Sequence, residues 1–259
     1  MATKGEQTRE MILAQAAELF NRKGYFGASM SDIVDVTGLE KGGIYNHFKS
    51  KESLALEAFD YAVNGADDLH FAIFDGLGHG IGSTLLTGLA VGAYRHARRA
   101  GAPVADMHAA VEAALAGYYD DYSFATGIIA RLATGSGRLE WSCAGHPRPL
   151  LLRGRKVVAE LSSAPVLPFG LGDPAPGPNI EQLQPDDVVL LYTDGVTEAR
   201  TPDGELFGLD RLADLLEREA ASGRKAEELL RRLVQSVLDH QAGDLRDDAT
   251  LLLVQWTGP

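Results

Sequence analysis

The hydrophobic period of the chain changes near residue 64. Before that point apolar residues recur every three or four positions, whereas beyond it short continuous apolar runs stand between Asp and Gly residues. The runs LHFAIFD, DDVVLLYTDG and DATLLLVQW suit strands that are buried on both faces. The change predicts a small helical domain over residues 1–64 and a larger domain of strands and helices over residues 65–259.

Four helices are expected in the first domain. Thr8 is predicted to cap the first helix, and Ser29 or Ser31 to cap a short second helix. Gly38 ends the second helix before a third begins near Lys41, and a fourth runs to about residue 64. A helix, a glycine turn and a second helix form the outline of a helix-turn-helix.

The larger domain is predicted to be α+β. Its stretch WSCAGHPRPLLLRGRKVVAEL has the pattern of strands and hairpins, and residues 172–179 form a loop rich in Gly and Pro. Two pairs of helices are expected, TLLTGLAVGAYRHARRAG with VADMHAAVEAALAGYY, and LDRLADLLEREAASG with AEELLRRLVQSVLDH. The arrangement predicts strand layers covered by paired helices.

Composition excludes several classes of protein. With 24 basic and 36 acidic residues the net charge is -12, so any contact with DNA must be local. No apolar run approaches the roughly 18 residues of a membrane span, and the polar start MATKGEQTRE does not resemble a signal peptide, so we expect a cytoplasmic protein with no membrane contact. The single Cys143 rules out an internal disulfide and leaves no zinc pattern, whereas a metal held by oxygen atoms is allowed.

The stretches TREMILAQAAELF, KGYFGASMSDIVDVTG and EKGGIYNHFKSKESL carry a resemblance to a known family. Over residues 8–62 they are similar to the N-terminal DNA-binding domain of TetR-type transcriptional regulators. Small glycines at the start of the third helix would allow close approach to a groove, where Tyr45 and His47 reach phosphates or bases. The resemblance implies DNA contacts from Ser29, Lys41, Gly42, Tyr45, Asn46, His47 and Lys51.

A second interpretation makes Tyr45 and Phe48 core aromatic residues and the lysines a solvated face, and Phe48 is expected in the core in either case. Residues 1–64 contain 7 basic and 9 acidic residues, a net charge of -2, so affinity for DNA would depend on their arrangement and on salt. Reading a palindromic double-stranded operator requires two copies, which favours a homodimer. The helical body that normally follows a TetR-type domain is absent.

A second family resemblance covers nearly 190 residues of the larger domain. The motifs FDGLGHG, FATGIIARLATGSGRLEWSCAGHPRPLLLR, LPFGL, LLYTDGVTEAR, GELFG and RDDATLLLV occur in the order found in the SpoIIE/RsbU branch of the PPM family of metal-dependent serine/threonine protein phosphatases. The resemblance implies an α/β sandwich of two sheets flanked by paired helices, truncated at its N-terminus.

The resemblance also implies a centre for two divalent cations, Mn²⁺ or Mg²⁺, that activate a water molecule for phosphomonoester hydrolysis. Asp75 would bridge both ions, the Gly76 carbonyl would bind one, and Asp194 and Asp247 would hold the other, with Asp248 in support. The alternative is that each Asp-Gly pair is only a β-turn. We expect His79 to contribute to the glycine loop, His146 to shape a turn, and Cys143 to lie in the core.

The join between the two resemblances lacks a residue that the phosphatase branch uses. The phrase AFDYAVN suits both the last helix of the first domain and the opening of the second, and Glu57 stands where the branch has a metal-binding aspartate. Glu57 is still a carboxylate and a candidate ligand, although a helix there would keep it away from a strand end. The missing opening strand would leave one sheet edge unpaired.

Three functional interpretations follow. The first is a Mg/Mn-dependent protein serine/threonine phosphatase coupled to a sequence-specific DNA-binding domain, with a phosphorylated regulatory protein such as an anti-sigma-factor antagonist as its substrate. The second is a TetR-like regulator whose phosphatase-like domain is inactive and serves sensing or dimerisation. The third is a chimera that does neither well.

Overall fold

A computed structural model describes residues 3–64, 67–78, 80–116, 123–172, 174–243 and 248–259. The chain divides into two compact units, Met1–Asp67 and Asp68–Pro259. Within the described ranges no helix combines the length and the apolar character that crossing a bilayer requires.

The described residues of the first unit form four helices. They are α1 (Lys4–Lys23), α2 (Met30–Thr37), α3 (Lys41–Tyr45) and α4 (Lys51–Asn64). The prediction that Thr8 caps α1 is wrong, because Thr3 caps it and forms a reciprocal capping box with Glu6. Thr8 instead lies one turn inside the helix, where its hydroxyl donates to the Lys4 carbonyl.

The first unit has its own hydrophobic core. Of the two predicted caps, Ser29 is the one that caps α2, and Gly38 ends the helix as predicted, in the left-handed conformation. Phe48 is buried, which confirms its predicted place in the core. This core comprises Ile12, Leu13, Ala16, Leu19, Ala28, Ile33, Ile44, Phe48, Leu54 and Ala58.

In the second unit the described residues form two four-stranded antiparallel sheets, with strand orders β1-β2-β3-β6 and β5-β4-β7-β8. Its strands are β1 (Asp68–Gly76), β2 (Ala125–Ala133), β3 (Arg138–Ala144), β4 (Leu150–Arg153), β5 (Lys156–Glu160), β6 (Asn179–Gln182), β7 (Asp187–Tyr192) and β8 (Leu251–Trp256). Its helices are α5 (Ile81–Arg99), α6 (Val104–Ala116), α7 (Asp194–Thr197), α8 (Leu209–Ala221) and α9 (Ala226–His240).

Three buried clusters show how these elements are layered. One cluster joins residues of both sheets, among them Ile128 and Val189, and Cys143 lies in it as predicted. A second packs α5 and α6 on the first sheet, and a third packs α7, α8 and α9 on the second sheet. The unit is therefore a four-layer sandwich, which confirms the predicted α+β class with two sheets flanked by helices.

Two details of the strands differ from the sequence prediction. β7 is buried along its whole length, but β1 and β8 are largely half-exposed, because each is the last strand of its sheet among the described residues. The hydrophobic pattern also missed β2 as a strand, and Asn179, predicted in a loop, begins β6. β6 is short and polar and forms only by pairing with distant β3.

Candidate metal centre and DNA-binding face

The connections of the sandwich bring the ends of β1 and β7 to the same end of the second unit. Ala144, the last residue of β3, lies opposite Gly127 of β2, which in turn lies opposite Phe74 of β1. Only residues 145–149 then separate β3 from β4, whose first residue lies opposite Leu190 of β7. Because this connection is so short, the strand ends that carry Asp75 and Asp194 share one end of the sandwich.

The turn after β1 is held closely against the start of α5. Asp75 lies opposite Thr126 in the β1–β2 ladder. The Ser83 hydroxyl donates to the Gly76 carbonyl oxygen at 3.0 Å, and a Cβ atom at Gly76 would lie 2.7 Å from the Ser83 carbonyl oxygen. Glycine is therefore needed at position 76, and its carbonyl oxygen keeps a second lone pair for another partner.

A second contact joins the Asp194 turn to the loop before β8. The Thr193 hydroxyl donates to the Asp248 carbonyl at 3.2 Å and accepts from the Thr250 amide at 2.9 Å. A Cβ atom at Gly195 would lie 2.4 Å from the Asp248 carbonyl oxygen. These contacts bring the predicted acidic segments at Asp194 and Asp248 together, although Thr193 and Asp248 are 55 residues apart in the sequence. No pattern in the sequence indicates Thr193 for this role.

His146 lies in the connection between β3 and β4 and is buried. Its Nδ1 is 3.0 Å from the hydroxyl of Thr126, the residue opposite Asp75. Burial lowers the pKa of His146 to about 4. The backbone of Tyr192 raises this pKa by a smaller amount, because Nε2 makes no hydrogen bond of good geometry among the described residues. The imidazole is therefore neutral near pH 7. His146, which was predicted to shape a turn, thus also lies between Thr126 of β2 and Tyr192 of β7.

The LPFGL segment supports the same end of the sandwich. The backbone of Phe169 pairs with Ala125 through hydrogen bonds of 2.8 and 3.0 Å, and Ala125 lies opposite Gly76. The carboxylate of Glu112 on α6 accepts hydrogen bonds from the amides of Gly170 and Gly172. The family-like segment therefore fixes backbone beside the Asp75 turn.

The donor chemistry at this end suits a hard divalent cation. Asp75 and Asp194 provide carboxylate oxygens and Gly76 a carbonyl oxygen, the donor types that Mg²⁺ and Mn²⁺ prefer. The described residues contain no group of three or more His, Cys, Asp or Glu side chains placed to hold a metal ion. Asp247 and His79, both singled out in the sequence, lie outside the described residues.

Glu57 lies in a different environment from the two aspartates. It belongs to α4 of the first unit, where its carboxylate forms an ion pair with Arg9 and accepts a hydrogen bond from Ser53 at 3.4 Å. The structure therefore places Glu57 on a helix and not at a strand end. Its role as a metal ligand stays a prediction, and that role would require the pair with Arg9 to separate.

Some of the predicted DNA contacts have exposed side chains, whereas others already have hydrogen-bond partners within the first unit. Lys41, Gly42, Tyr45 and Asn46 are exposed on or beside α3, and His47 is half-buried. Tyr45 is 42% exposed, so the interpretation of Tyr45 as a core residue is wrong. The four exposed residues stand at helical spacing, which places them on one side of α3.

Two of the predicted contacts have partners inside the first unit. Lys51 donates to the Tyr25 carbonyl at 2.6 Å and lies 4.3 Å from the centre of the Tyr25 ring. The Ser29 hydroxyl is engaged with Asp32 in the capping box. Phe26, in the turn before α2, is 96% exposed, which no sequence pattern indicates.

Comparison with known families decides the assignment of the larger unit. The profile of the family described as "Stage II sporulation protein E (SpoIIE)" matches residues 65–257, about three quarters of the chain. The chain belongs to the SpoIIE family. A second profile, "Bacterial regulatory proteins, tetR family", matches residues 12–58 and so covers the helix-turn-helix unit. Both resemblances identified from sequence motifs are confirmed.

Curated relatives match this SpoIIE-family chain in separate parts. Protein IcfG of Synechocystis sp. is 31% identical over 140 residues, covering 51% of this chain and 20% of that protein. Phosphoserine phosphatase RsbU of Bacillus subtilis is 36% identical over 75 residues, which cover 29% of this chain and 22% of RsbU. The transcriptional regulator LmrA of B. subtilis is 44% identical over 52 residues, 20% of this chain and 28% of LmrA. The chain spans about a fifth to a third of the curated relatives it matches.

Solved structures confirm the fold of the SpoIIE-family unit. The RsbU and RsbW domains of a Mycobacterium tuberculosis protein are 27% identical with a TM-score of 0.63, and the match covers 74% of this chain and 54% of that one. The SiaA-PP2C domain of Pseudomonas aeruginosa is 24% identical with a TM-score of 0.64, covering 73% of this chain and 76% of that one. The second of these likenesses indicates the fold alone.

Proposed function

We propose that the chain is a metal-dependent protein serine/threonine phosphatase coupled to a sequence-specific DNA-binding domain, and that it regulates transcription or sigma-factor signalling. The observation that carries the proposal is that the Asp75 and Asp194 turns lie at the same end of a SpoIIE-type sandwich, with Asp248 held against the second turn. Carboxylates at such strand ends are the donor type that a two-metal hydrolase needs.

In this proposal Asp75, the Gly76 carbonyl and Asp194, together with Asp247, hold two Mn²⁺ or Mg²⁺ ions. When bound, such ions supply a water nucleophile at neutral pH and offset the charge of the phosphoryl oxygens. The chain's own residues set the geometry: Ser83 orients the Gly76 carbonyl, and Thr193 fixes the Asp194 turn to the Asp248 loop. Buried His146 holds Thr126 opposite Asp75 and stays neutral, so it adds no positive charge.

The proposed substrate is a phosphorylated regulatory protein, as in the expectation of an anti-sigma-factor antagonist. The likeness to a relative named phosphoserine phosphatase supports phosphoserine as the reacting group. The exposed face of α3 supports the second part of the proposal, in which two copies of the chain read a palindromic DNA operator.

A second candidate function has support from Glu57. If its ion pair with Arg9 persists, the residue in the place of the missing aspartate is not available to a metal. The chain would then be a TetR-like regulator whose phosphatase-like unit senses or dimerises without turnover. This candidate predicts DNA binding and no hydrolysis.

Hydrolysis of a serine-phosphorylated peptide by the full chain, with Mn²⁺ and with a chelator, tests the enzymatic proposal. We expect metal-dependent turnover that Asp75→Asn reduces to background, because one carboxylate of the centre is lost. Asp203→Asn makes the same chemical change in an exposed loop and should leave turnover intact. Folded protein without turnover would overturn the enzymatic proposal and favour the second candidate.

A further variant separates the two roles considered for Glu57. Glu57→Gln keeps the size of the side chain and removes its charge. If Glu57 is a ligand, Glu57→Gln should lower the affinity for Mn²⁺ measured by isothermal titration. If Glu57 only pairs with Arg9, Mn²⁺ binding should be unchanged, and Glu57 is then not part of the centre.

A further inference from the structure

An open cleft of about 550 Å³ lies between the β4–β5 hairpin and α8, and its lining is mainly cationic. Its charged residues are Arg155, Lys156, Arg211, Arg218, Asp214 and Glu217. Four positive and two negative side chains give the lining a net charge of +2, in a chain whose net charge is -12. A local positive surface on an acidic protein favours an anionic partner.

Two of the cations are not neutralised by a carboxylate within the described part of the chain. Arg155 donates to the Ala221 carbonyl at 3.3 Å, and Arg218 donates to the Asp214 carbonyl at 3.4 Å. Arg211 pairs with Glu205, and Lys156 pairs with Glu217. Since the two carbonyl bonds are long and carry no opposite charge, Arg155 and Arg218 keep their attraction for an incoming anion.

The backbone at Arg155 provides a second, independent indication. Gly154 and Arg155 form the two-residue loop of the hairpin, with φ angles of 55° and 70°. Turns with two positive φ angles strongly favour Gly, Asn or Asp, so an arginine at the second position is unfavourable for the backbone. The chain tolerates that cost while it presents a guanidinium group to the cleft.

The spacing of the cations indicates the shape of the partner. The pair of Arg211 with Glu205 is exposed and therefore weak, so Arg211 can also attract an anion. It lies seven residues from Arg218 on α8, about 10 Å along the helix axis. A single phosphate cannot bridge that distance, whereas about three residues of extended peptide span it. We propose that the cleft is a docking site for an extended acidic segment of a protein partner.

The inference concerns binding and does not depend on hydrolysis by the candidate metal centre. It is tested by the fluorescence anisotropy of a fluorescein-labelled octapeptide of Glu and Ser, titrated with the full chain at low salt in the presence of a chelator. A peptide with Gln in place of Glu gives the dependence on charge. Because no metal is present, failure of the enzymatic proposal cannot mimic failure of docking.

The decisive variant is Arg155→Gly combined with Arg218→Ala. Glycine suits the positive φ angle, so this variant should unfold at the same temperature or higher while it loses two cations. We expect its affinity for the Glu peptide to fall about tenfold, as the loss of two exposed charge pairs predicts. Arg231→Ala on α9 removes a comparable exposed helical arginine outside the cleft and should change affinity less than about twofold.

Other results would overturn the proposal. Absence of Glu-peptide binding, equal binding of the Gln peptide, or equal effects of the cleft variant and Arg231→Ala would each exclude an acidic docking cleft. A duplex DNA probe that binds more tightly than the Glu peptide and is lost in the same variant would assign the cleft to nucleic acid. Full displacement by inorganic phosphate alone would reassign it to a small anion.

Discussion

At the scale of a single residue, the absence of a side chain at Gly195 allows the Asp194 turn to lie close to the backbone of Asp248. An added methyl group would lie 2.4 Å from the Asp248 carbonyl oxygen, a backbone atom, and a Cβ atom has no side-chain rotation that would relieve the contact. We expect Gly195→Ala to lower the free energy of unfolding by about 1–3 kcal/mol, as overpacking does. Urea denaturation monitored by tryptophan fluorescence gives the value.

Gly177→Ala is the matched control for that substitution. A Cβ atom at Gly177 meets nothing within 4 Å, so the change should stay within about 0.5 kcal/mol or stabilise slightly. Equal losses at the two positions would mean that the Gly195 contact with Asp248 is not as close as the structure has it.

His146 makes stability depend on pH. Its pKa is about 4 in the folded chain and about 6.5 in the unfolded chain, so between these values only the unfolded state takes up the proton. The contribution of the neutral imidazole is complete above pH 6.5 and is lost as pH falls toward 4. It amounts to roughly 3 kcal/mol.

Urea titrations of the wild-type chain and of His146→Gln from pH 7.5 to 4.5 check this dependence. The wild type should lose stability more steeply below pH 6.5 than the variant, because glutamine does not titrate. Parallel curves would contradict the assignment of a buried neutral imidazole.

At the scale of an element, the helical conformation of α4 places the segment shared by the two family resemblances in the first unit. On a helix Leu54 and Ala58 face the core of the first unit, and Leu56 faces outward, where it is 64% exposed. We expect Leu54→Ala to cost about 2–5 kcal/mol and Leu56→Ala about 0.5 kcal/mol or less. Hydrogen exchange of residues 8–60 in the full chain measures both.

The same pair of variants tests the competing strand. Along a strand, residues 54, 56 and 58 would share one face, so Leu54→Ala and Leu56→Ala would cost similar amounts. Similar losses would therefore show that this segment completes the sheet beside β1 instead of ending the helix-turn-helix unit.

The proposed DNA binding depends on charge at the scale of the whole molecule. The chain carries a net charge of -12, so attraction to DNA depends on local lysines such as exposed Lys41 and Lys49. In the proposed dimer four such contacts predict binding about 100-fold weaker at 200 mM than at 50 mM salt. Anisotropy with a duplex selected from a random pool measures this dependence.

Lys41→Ala should weaken binding and flatten the salt dependence, whereas equal effects from Lys4→Ala, in α1, would contradict a contact at α3.

Local signals explain why most elements could be predicted. Helices α1, α2, α4, α5, α6, α8 and α9 follow from apolar spacing because their hydrogen bonds join near neighbours in sequence. Neither β2 nor β6 was predicted as a strand, although the residues of β2 lie within a family motif, because a strand exists only when a distant partner pairs with it. The half-exposure of β1 likewise depends on its place in the sheet.

The residues of the candidate metal centre also differ in whether the sequence could identify them. Asp75 and Asp194 stand out in the sequence because each follows an apolar run and precedes a glycine, and that pattern also marked the ends of β1 and β7. The partners of these turns could not be identified from the sequence. Thr193 meets Asp248 across 55 residues, and His146 meets Thr126 across 20.

The sequence by itself determined the two parts of the chain, their families and the acidic residues at two strand ends, since period, composition and motif order are properties of neighbouring residues. Only the tertiary structure decided that the short connection after β3 brings those strand ends together, that Glu57 pairs with Arg9, and that α8 and the β4–β5 hairpin form a cationic cleft. Each of these depends on packing between residues far apart in the chain, which no local pattern encodes.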